Sequence, residues 1–154
     1  MTHEAGLDPM SRAFAAARQA AARGEVPVGA ALVRAGAVIA VCGNRTLADR
    51  DPTAHAEMLV IREAARALGS ERLACCDLYV TLEPCAMCAA AISFARIRRL
   101  YWAAPDFKGG AVEHGPRFFA QPTCHHGPEC YGGLRESEAA ALLRGFFQAR
   151  RGSG

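Results

Sequence analysis

Three side chains in this sequence have the chemistry of metal ligands and the spacing to act together. Cys85 and Cys88 stand in Pro84-Cys85-Ala86-Met87-Cys88, and His55 opens His55-Ala56-Glu57 upstream. The cysteines follow Leu78-Tyr79-Val80-Thr81-Leu82, an apolar and β-branched run that reads as a buried strand. They open a helix, with Pro84 near the first helical position, where its missing N–H costs nothing. Residues three apart share a helical face. The first turn carries unpaired N–H groups and the positive end of the dipole, and both favour thiolate, the form of cysteine that binds metal. His55 falls in the first turn of a second predicted helix. Two thiolates and one neutral imidazole cancel the charge of a single Zn²⁺ per chain and leave its fourth position to water, as catalytic zinc sites do; structural sites are closed by four protein ligands. Glu57, two positions from His55, is placed to take a proton from that water and hand it to a leaving group. The competing arrangement is a closed clip, with Cys124, His125, His126 or Cys130 as fourth ligand. The loose spacing of these residues and the intervening Gly127-Pro128 weigh against it. Cys42 and the adjacent Cys75-Cys76 read as packing residues or inert thiols.

The elements that must position these groups follow from pattern and punctuation. Asp8-Pro9 caps a helix to about Arg23, with Phe14, Ala17 and Ala21 inward and Gly24 as its stop. Strands Gly29–Arg34 and Ala37–Cys42 form a hairpin across Ala35-Gly36, and a polar loop runs Gly43–Asp51. A helix spans about Ala54–Leu68, where Met58, Ile61, Ala65 and Leu68 recur at helical period, closed by Gly69. Then come the strand Leu78–Leu82, the cysteine helix to about Ala95, and a strand Ile97–Ala103. This alternation implies parallel pairing with helices covering the sheet, and in such sheets helix N-termini can converge at one edge. Pro105–Gly133 is loop-rich, with a short strand near Cys130-Tyr131. The last helix runs Glu136–Arg151, with Ala139, Leu142, Leu143 and Phe146 inward.

The 154 residues suffice for one domain, 1–154, with a real core, and 51% hydrophobic residues exclude a disordered chain. Gly152-Ser153-Gly154 reads as a tail outside the fold. The net charge of +3 permits an acidic partner without requiring one, and of the 18 basic residues only Lys108 is lysine. Arginine suits phosphate and base contacts, although a coding bias would produce the same excess. No apolar run is long enough to span a bilayer, and the N-terminus lacks the order of a signal peptide. The seven cysteines are therefore read in a reducing, cytoplasmic compartment, where metal or catalytic roles outrank disulfides.

The paired motif matches the H-x-E…P-C-x-x-C signature of the zinc nucleobase deaminases. The resemblance extends beyond it. Glu25-Val26-Pro27-Val28-Gly29-Ala30, Asn44-Arg45, Asp51 to Glu57, Leu78 to Cys88, and Phe146-Phe147 followed by Arg150-Arg151 all look like the bacterial tRNA-specific adenosine deaminases. It covers about Pro9 to Arg151 and is least specific between Pro105 and Gly133. The resemblance implies an α/β, three-layer αβα cytidine-deaminase-like fold with a central mixed five-stranded sheet, and a homodimer. It implies hydrolysis of the wobble adenosine in a tRNA anticodon stem-loop to inosine, releasing ammonia, with no membrane partner. By matching position, Asn44 would hydrogen-bond the purine, Val28 and Ala54 would line the base pocket, and Glu83 would support the zinc turn. Asp106 would lie in a loop near the substrate strand, and Phe146 and Arg150 would touch the anticodon loop. Pro105 and Phe107 depart from the family around Asp106. Two other classes stay open: a free nucleobase or nucleotide deaminase of guanine or cytosine type, and a non-catalytic zinc module that binds nucleic acid, which a fourth protein ligand would mark.

Overall fold

The computed structural model describes residues 8–153. Helix α1 (Pro9–Ala22) starts where Asp8 accepts hydrogen bonds from the Ser11 amide at 3.0 Å and hydroxyl at 2.7 Å. Strands β1 (Gly29–Arg34) and β2 (Ala37–Gly43) form the expected hairpin, followed by α2 (Ala56–Leu68), β3 (Cys76–Leu82), α3 (Ala86–Ala95) and β4 (Arg99–Ala104). A 3₁₀ turn at Phe118–Ala120, the short β5 (Glu129–Tyr131) and α4 (Glu136–Ser153) complete the chain. Helix α4 takes in Gly152 and Ser153, so of the expected tail only Gly154 lies outside the described residues.

The five strands form one mixed sheet in the order β2-β1-β3-β4-β5. β1 is antiparallel to both neighbours, whereas β3, β4 and β5 run parallel, as the strand–helix alternation requires. One face packs Val60, Ala64, Ile92 and Ala95 of α2 and α3 against Leu32, Leu78, Val80, Leu100 and Trp102. The other packs Met10, Ala13, Phe14 and Ala139 of α1 and α4 against Ala31 and Ala103. The layers are therefore αβα. Gly29 and Gly43 face each other in register beneath α1. A Cβ on Gly29 would meet the Ala13 carbonyl at 1.9 Å, and one on Gly43 the Ala16 carbonyl at 2.6 Å, so the bare backbone here lets the helix sit down on the sheet.

Two expectations about the elements are corrected, on α1 and β4, and the inward row of α2 is resolved. On α2 the buried row is Ala56, Glu57, Val60 and Ala64, while Met58, Ile61, Ala65 and Leu68 are half-buried. The small residues face the sheet at close range, and the larger ones flank it. On α1 the inward residue of the last turn is Ala20, not Ala21. β4 begins at Arg99 because Ile97 still closes α3: its amide reaches back to the Ile92 carbonyl after Arg96 turns left-handed at φ 64°. Among the described residues, no helix is long and apolar enough to cross a membrane.

Candidate active site

His55 and Cys85 are the N-cap residues of α2 and α3, with extended backbone, not first-turn residues; Pro84 accordingly lies just before its helix instead of at its first position. The N-cap role points both side chains across the ends of the two helices. Cys88, three residues on, is fully buried. His55 Nδ1 lies 3.7 Å from Cys85 Sγ and 3.5 Å from Cys88 Sγ. Among the described residues these three form the one group of its kind, with all ligand atoms within 4.8 Å of one another. Zinc–sulfur and zinc–nitrogen bonds of about 2.3 and 2.0 Å at a tetrahedral angle place S and N about 3.6 Å apart. The donor set and its spacing fit one Zn²⁺.

The three donors also share protons with one another. The hydrogen bond from Cys88 draws the Cys85 thiol down to about 4, against burial and with help from His55. That same bond, with burial, pushes Cys88 up, and the bond to Cys85 raises His55. Glu57, 4% exposed in the first turn of α2, is pushed up to about 7 by burial. The clip residues lie elsewhere: the Cys124 thiol meets the His126 carbonyl at 3.2 Å and Ser93 Oγ at 3.5 Å, and His126 Nε2 bonds the Ile97 carbonyl. Among the described residues, no fourth protein ligand joins the three.

The remaining predicted residues divide. Asn44 is buried, and its Oδ1 accepts the Ala56 amide at 2.9 Å, so it caps α2 between His55 and Glu57. Val28 is 6% exposed and accepts the Asn44 amide through its carbonyl. Ala54 is 0% exposed, so its methyl packs behind the site and cannot be a contact surface as expected. Glu83 stands two residues before Cys85. Its buried carboxylate takes the amides of Asp106, Val112, Glu113 and His114 and the His114 imidazole at 2.7 Å, so it organises the 106–114 loop. Burial alone would raise its pKa; these donors together hold it below the ordinary value. Gly110 passes so close that a Cβ would lie 2.6 Å from the Glu83 carboxyl carbon. Asp106 spends Oδ1 on the Lys108 and Gly109 amides, a turn-forming role. Phe146 is half-buried with the Arg150 guanidinium 4.5 Å from its ring centre, and Arg150 also donates to the Gly24 carbonyl. Arg150 therefore ties α4 to the turn after α1, its guanidinium lying over the Phe146 ring. Sequence reasoning gave no role to His114 or to Glu25. The available signal for Glu25 was a single carboxylate between Gly24 and the apolar run Val26-Pro27-Val28.

Residues 5–104 match the family model described as the cytidine and deoxycytidylate deaminase zinc-binding region. The chain is 65% identical to a tRNA-specific adenosine deaminase of Agrobacterium fabrum over 142 residues, 92% of this chain and 93% of that one. It is similar to a structure solved in a study of A-to-I editing by tRNA:A34 deaminases, with a TM-score of 0.86 and 66% identity over 87% of this chain and 97% of that one. A guanine deaminase from Bacillus subtilis aligns at a TM-score of 0.62 and 32% identity, over 99% and 95% of the two chains.

Proposed function

The chain belongs to the cytidine and deoxycytidylate deaminase family, and from that premise we propose that it deaminates the wobble adenosine of a tRNA anticodon loop to inosine. The observation that carries the chemistry is the three-ligand cluster of His55, Cys85 and Cys88, with a buried carboxylate, Glu57, in the same helix turn as His55. The tRNA substrate rests on the 65% identical relative. His55, Cys85 and Cys88 would hold a zinc ion, which when bound would supply an activated water for attack on the purine carbon that bears the amino group. Glu57 takes a proton as water adds and passes protons to the ring nitrogen and then to the departing amine. The C–N bond breaks, a C=O bond forms, and the balance is water in and ammonia out. The Asn44 amide, its oxygen held by the Ala56 N–H, has N–H donors that suit an acceptor nitrogen of the purine. Val28 shapes the pocket wall, with Ala54 behind it.

The protein works as a homodimer in the cytoplasm on this reading. Free thiols at all seven cysteines suit a reducing compartment, and Phe94 on α3 is 77% exposed, an apolar surface for a second copy. Arg144 and Arg151 of α4 are exposed and available to RNA phosphates.

The test is direct. The zinc-loaded protein is incubated with an anticodon stem-loop carrying adenosine at the wobble position, and inosine and ammonia are measured beside a reaction with free guanine. Inosine from the stem-loop with no ammonia from guanine is expected. Guanine turnover with an inert stem-loop would assign the chain to free-base deamination.

A further inference from the structure

Glu25 takes no part in the chemistry above, yet it is a carboxylate only 1% exposed. A buried charge is costly unless its oxygens are fully hydrogen-bonded. Here Oε2 accepts the Ala48 amide at 2.9 Å and the Leu47 amide at 3.1 Å, while Oε1 accepts the Thr46 hydroxyl at 3.3 Å. Two residues earlier, Arg23 Nη2 donates to the Asn44 carbonyl at 3.0 Å. The turn that ends α1 thus holds the start of the loop after β2 at two points, residue 44 through Arg23 and residues 46–48 through Glu25. The loop is closed on itself by the Arg45 amide on the Ala54 carbonyl and the Asp51 amide on the Thr46 carbonyl, 3.0 and 3.1 Å. From this anchored start the Asn44 side chain reaches across to cap the Ala56 amide between His55 and Glu57.

We propose that Glu25 is a positioning residue for the active site: through the 46–48 backbone it fixes Asn44 and the first turn of α2, and with them His55 and Glu57. The chain of contacts is short, every link but the Thr46 hydroxyl is a hydrogen bond to or from backbone, and no link depends on an exposed side chain except Arg23. Small displacements of reacting groups carry large penalties; about 1 Å can cost on the order of 10²-fold in rate. The role rests on the deaminase reading for its kinetic readout but not for its structural one.

The experiment uses the zinc-loaded protein with Glu25→Gln, which keeps the shape but turns an N–H₂ toward the loop amides. Zinc content and melting cooperativity are expected to persist while kcat on the stem-loop falls about tenfold or more. Hydrogen exchange of amides 44–56, Ala56 included, is expected to rise at least about tenfold, with α1 and β1 unchanged. A cycle with Asn44→Ala is expected to be non-additive, because both changes release the same turn. Should Glu25→Gln not fold, Arg23→Ala loosens the other end of the loop from the surface and is expected to give the same localised exchange and a smaller drop in kcat. Unchanged kcat with unchanged exchange overturns the proposal. So does a fold-wide loss of protection, or multiplicative effects in the cycle. If the wild-type protein ignores the stem-loop, the substrate reading fails alone, and the exchange pattern still decides the role of Glu25.

Discussion

At the scale of single residues, the site separates groups that hold a metal from the group that moves protons. Cys88→Ala removes one of three ligands and is expected to lose bound zinc and part of the folding free energy, since metal binding is coupled to folding. Glu57→Gln is expected to keep one zinc per chain and lose about 10²–10⁴-fold in turnover, the usual range for a general acid–base group. Metal analysis beside a turnover assay checks both, and full zinc in Cys88→Ala would remove that ligand from the assignment. Glu25 adds a pH dependence. Burial raises its pKa, but the Ala48 and Leu47 amides, the Thr46 hydroxyl and the nearby Arg23 together bring it below the ordinary value. A carboxyl with a depressed folded pKa contributes stability above its unfolded pKa of about 4.3, and that contribution disappears as pH falls through the folded value. Denaturation midpoints of the wild type are therefore expected to drop below about pH 4 more steeply than those of Glu25→Gln; parallel curves would show that Glu25 is not charged when folded. The ligands and Glu57 were legible because their chemistry is written in two short motifs. Ala54, Glu83 and Asn44 were not fully legible, because burial and hydrogen-bond partners belong to tertiary structure: the fully buried Ala54 methyl and the Glu83 carboxylate bound to residues 106–114 leave no trace in the spacing of their neighbours.

At the scale of elements, the positions that decide assembly are those where backbones come closest. Gly29 lies under α1 with no room for even a methyl group, the Ala13 carbonyl standing 1.9 Å from where its Cβ would be. Backbone on both sides leaves nothing flexible to yield, so Gly29→Ala is expected to destabilise by about 3 kcal/mol or more, the upper range of overpacking. Gly145, in the middle of α4, has nothing within 4 Å of a Cβ. Gly145→Ala is expected to stabilise by about 0.5–1 kcal/mol through helix propensity. Urea titrations of the two variants should move in opposite directions; a neutral Gly29→Ala would mean that α1 does not dock on β1 as described. These elements also show how far pattern reading goes. The hairpin and the parallel β3–β4 pair followed from turn residues and from the alternation of strands and helices, and the αβα layering from the family resemblance. The inward row of α2 did not, because periodicity favours large apolar residues, whereas this interface selects small ones, Ala56 and Ala64, that let the helix carry His55 and Glu57 close to the sheet.

At the scale of the molecule, α3 is apolar on more sides than one chain can cover. Cys88, Ala89, Ile92 and Ala95 face inward, while Met87, Ala90 and Ala91 are half-buried and Phe94 is 77% exposed. A helix that is apolar all round normally lies in an interior, and a large exposed aromatic beside small residues marks a contact surface. A second copy related by a two-fold axis would bring the same helix against itself or its neighbour α2, whose half-buried Met58 and Ile61 extend the apolar surface. Because α3 begins at Cys85, any partner seated on this face approaches the metal cluster of the first chain. Phe94→Asp places a charge at the centre of that surface, where it would have to be desolvated without a partner. Sedimentation velocity is expected to show a dimer for the wild type and a monomer for Phe94→Asp, with zinc content unchanged because the ligands lie on the other side of the helix turn. Turnover on the stem-loop is then expected to fall with dilution in the wild type and to be low at every concentration in the variant. A wild-type monomer that keeps full turnover at nanomolar concentration would leave Phe94 free for another partner and would place every residue of the working site on a single chain.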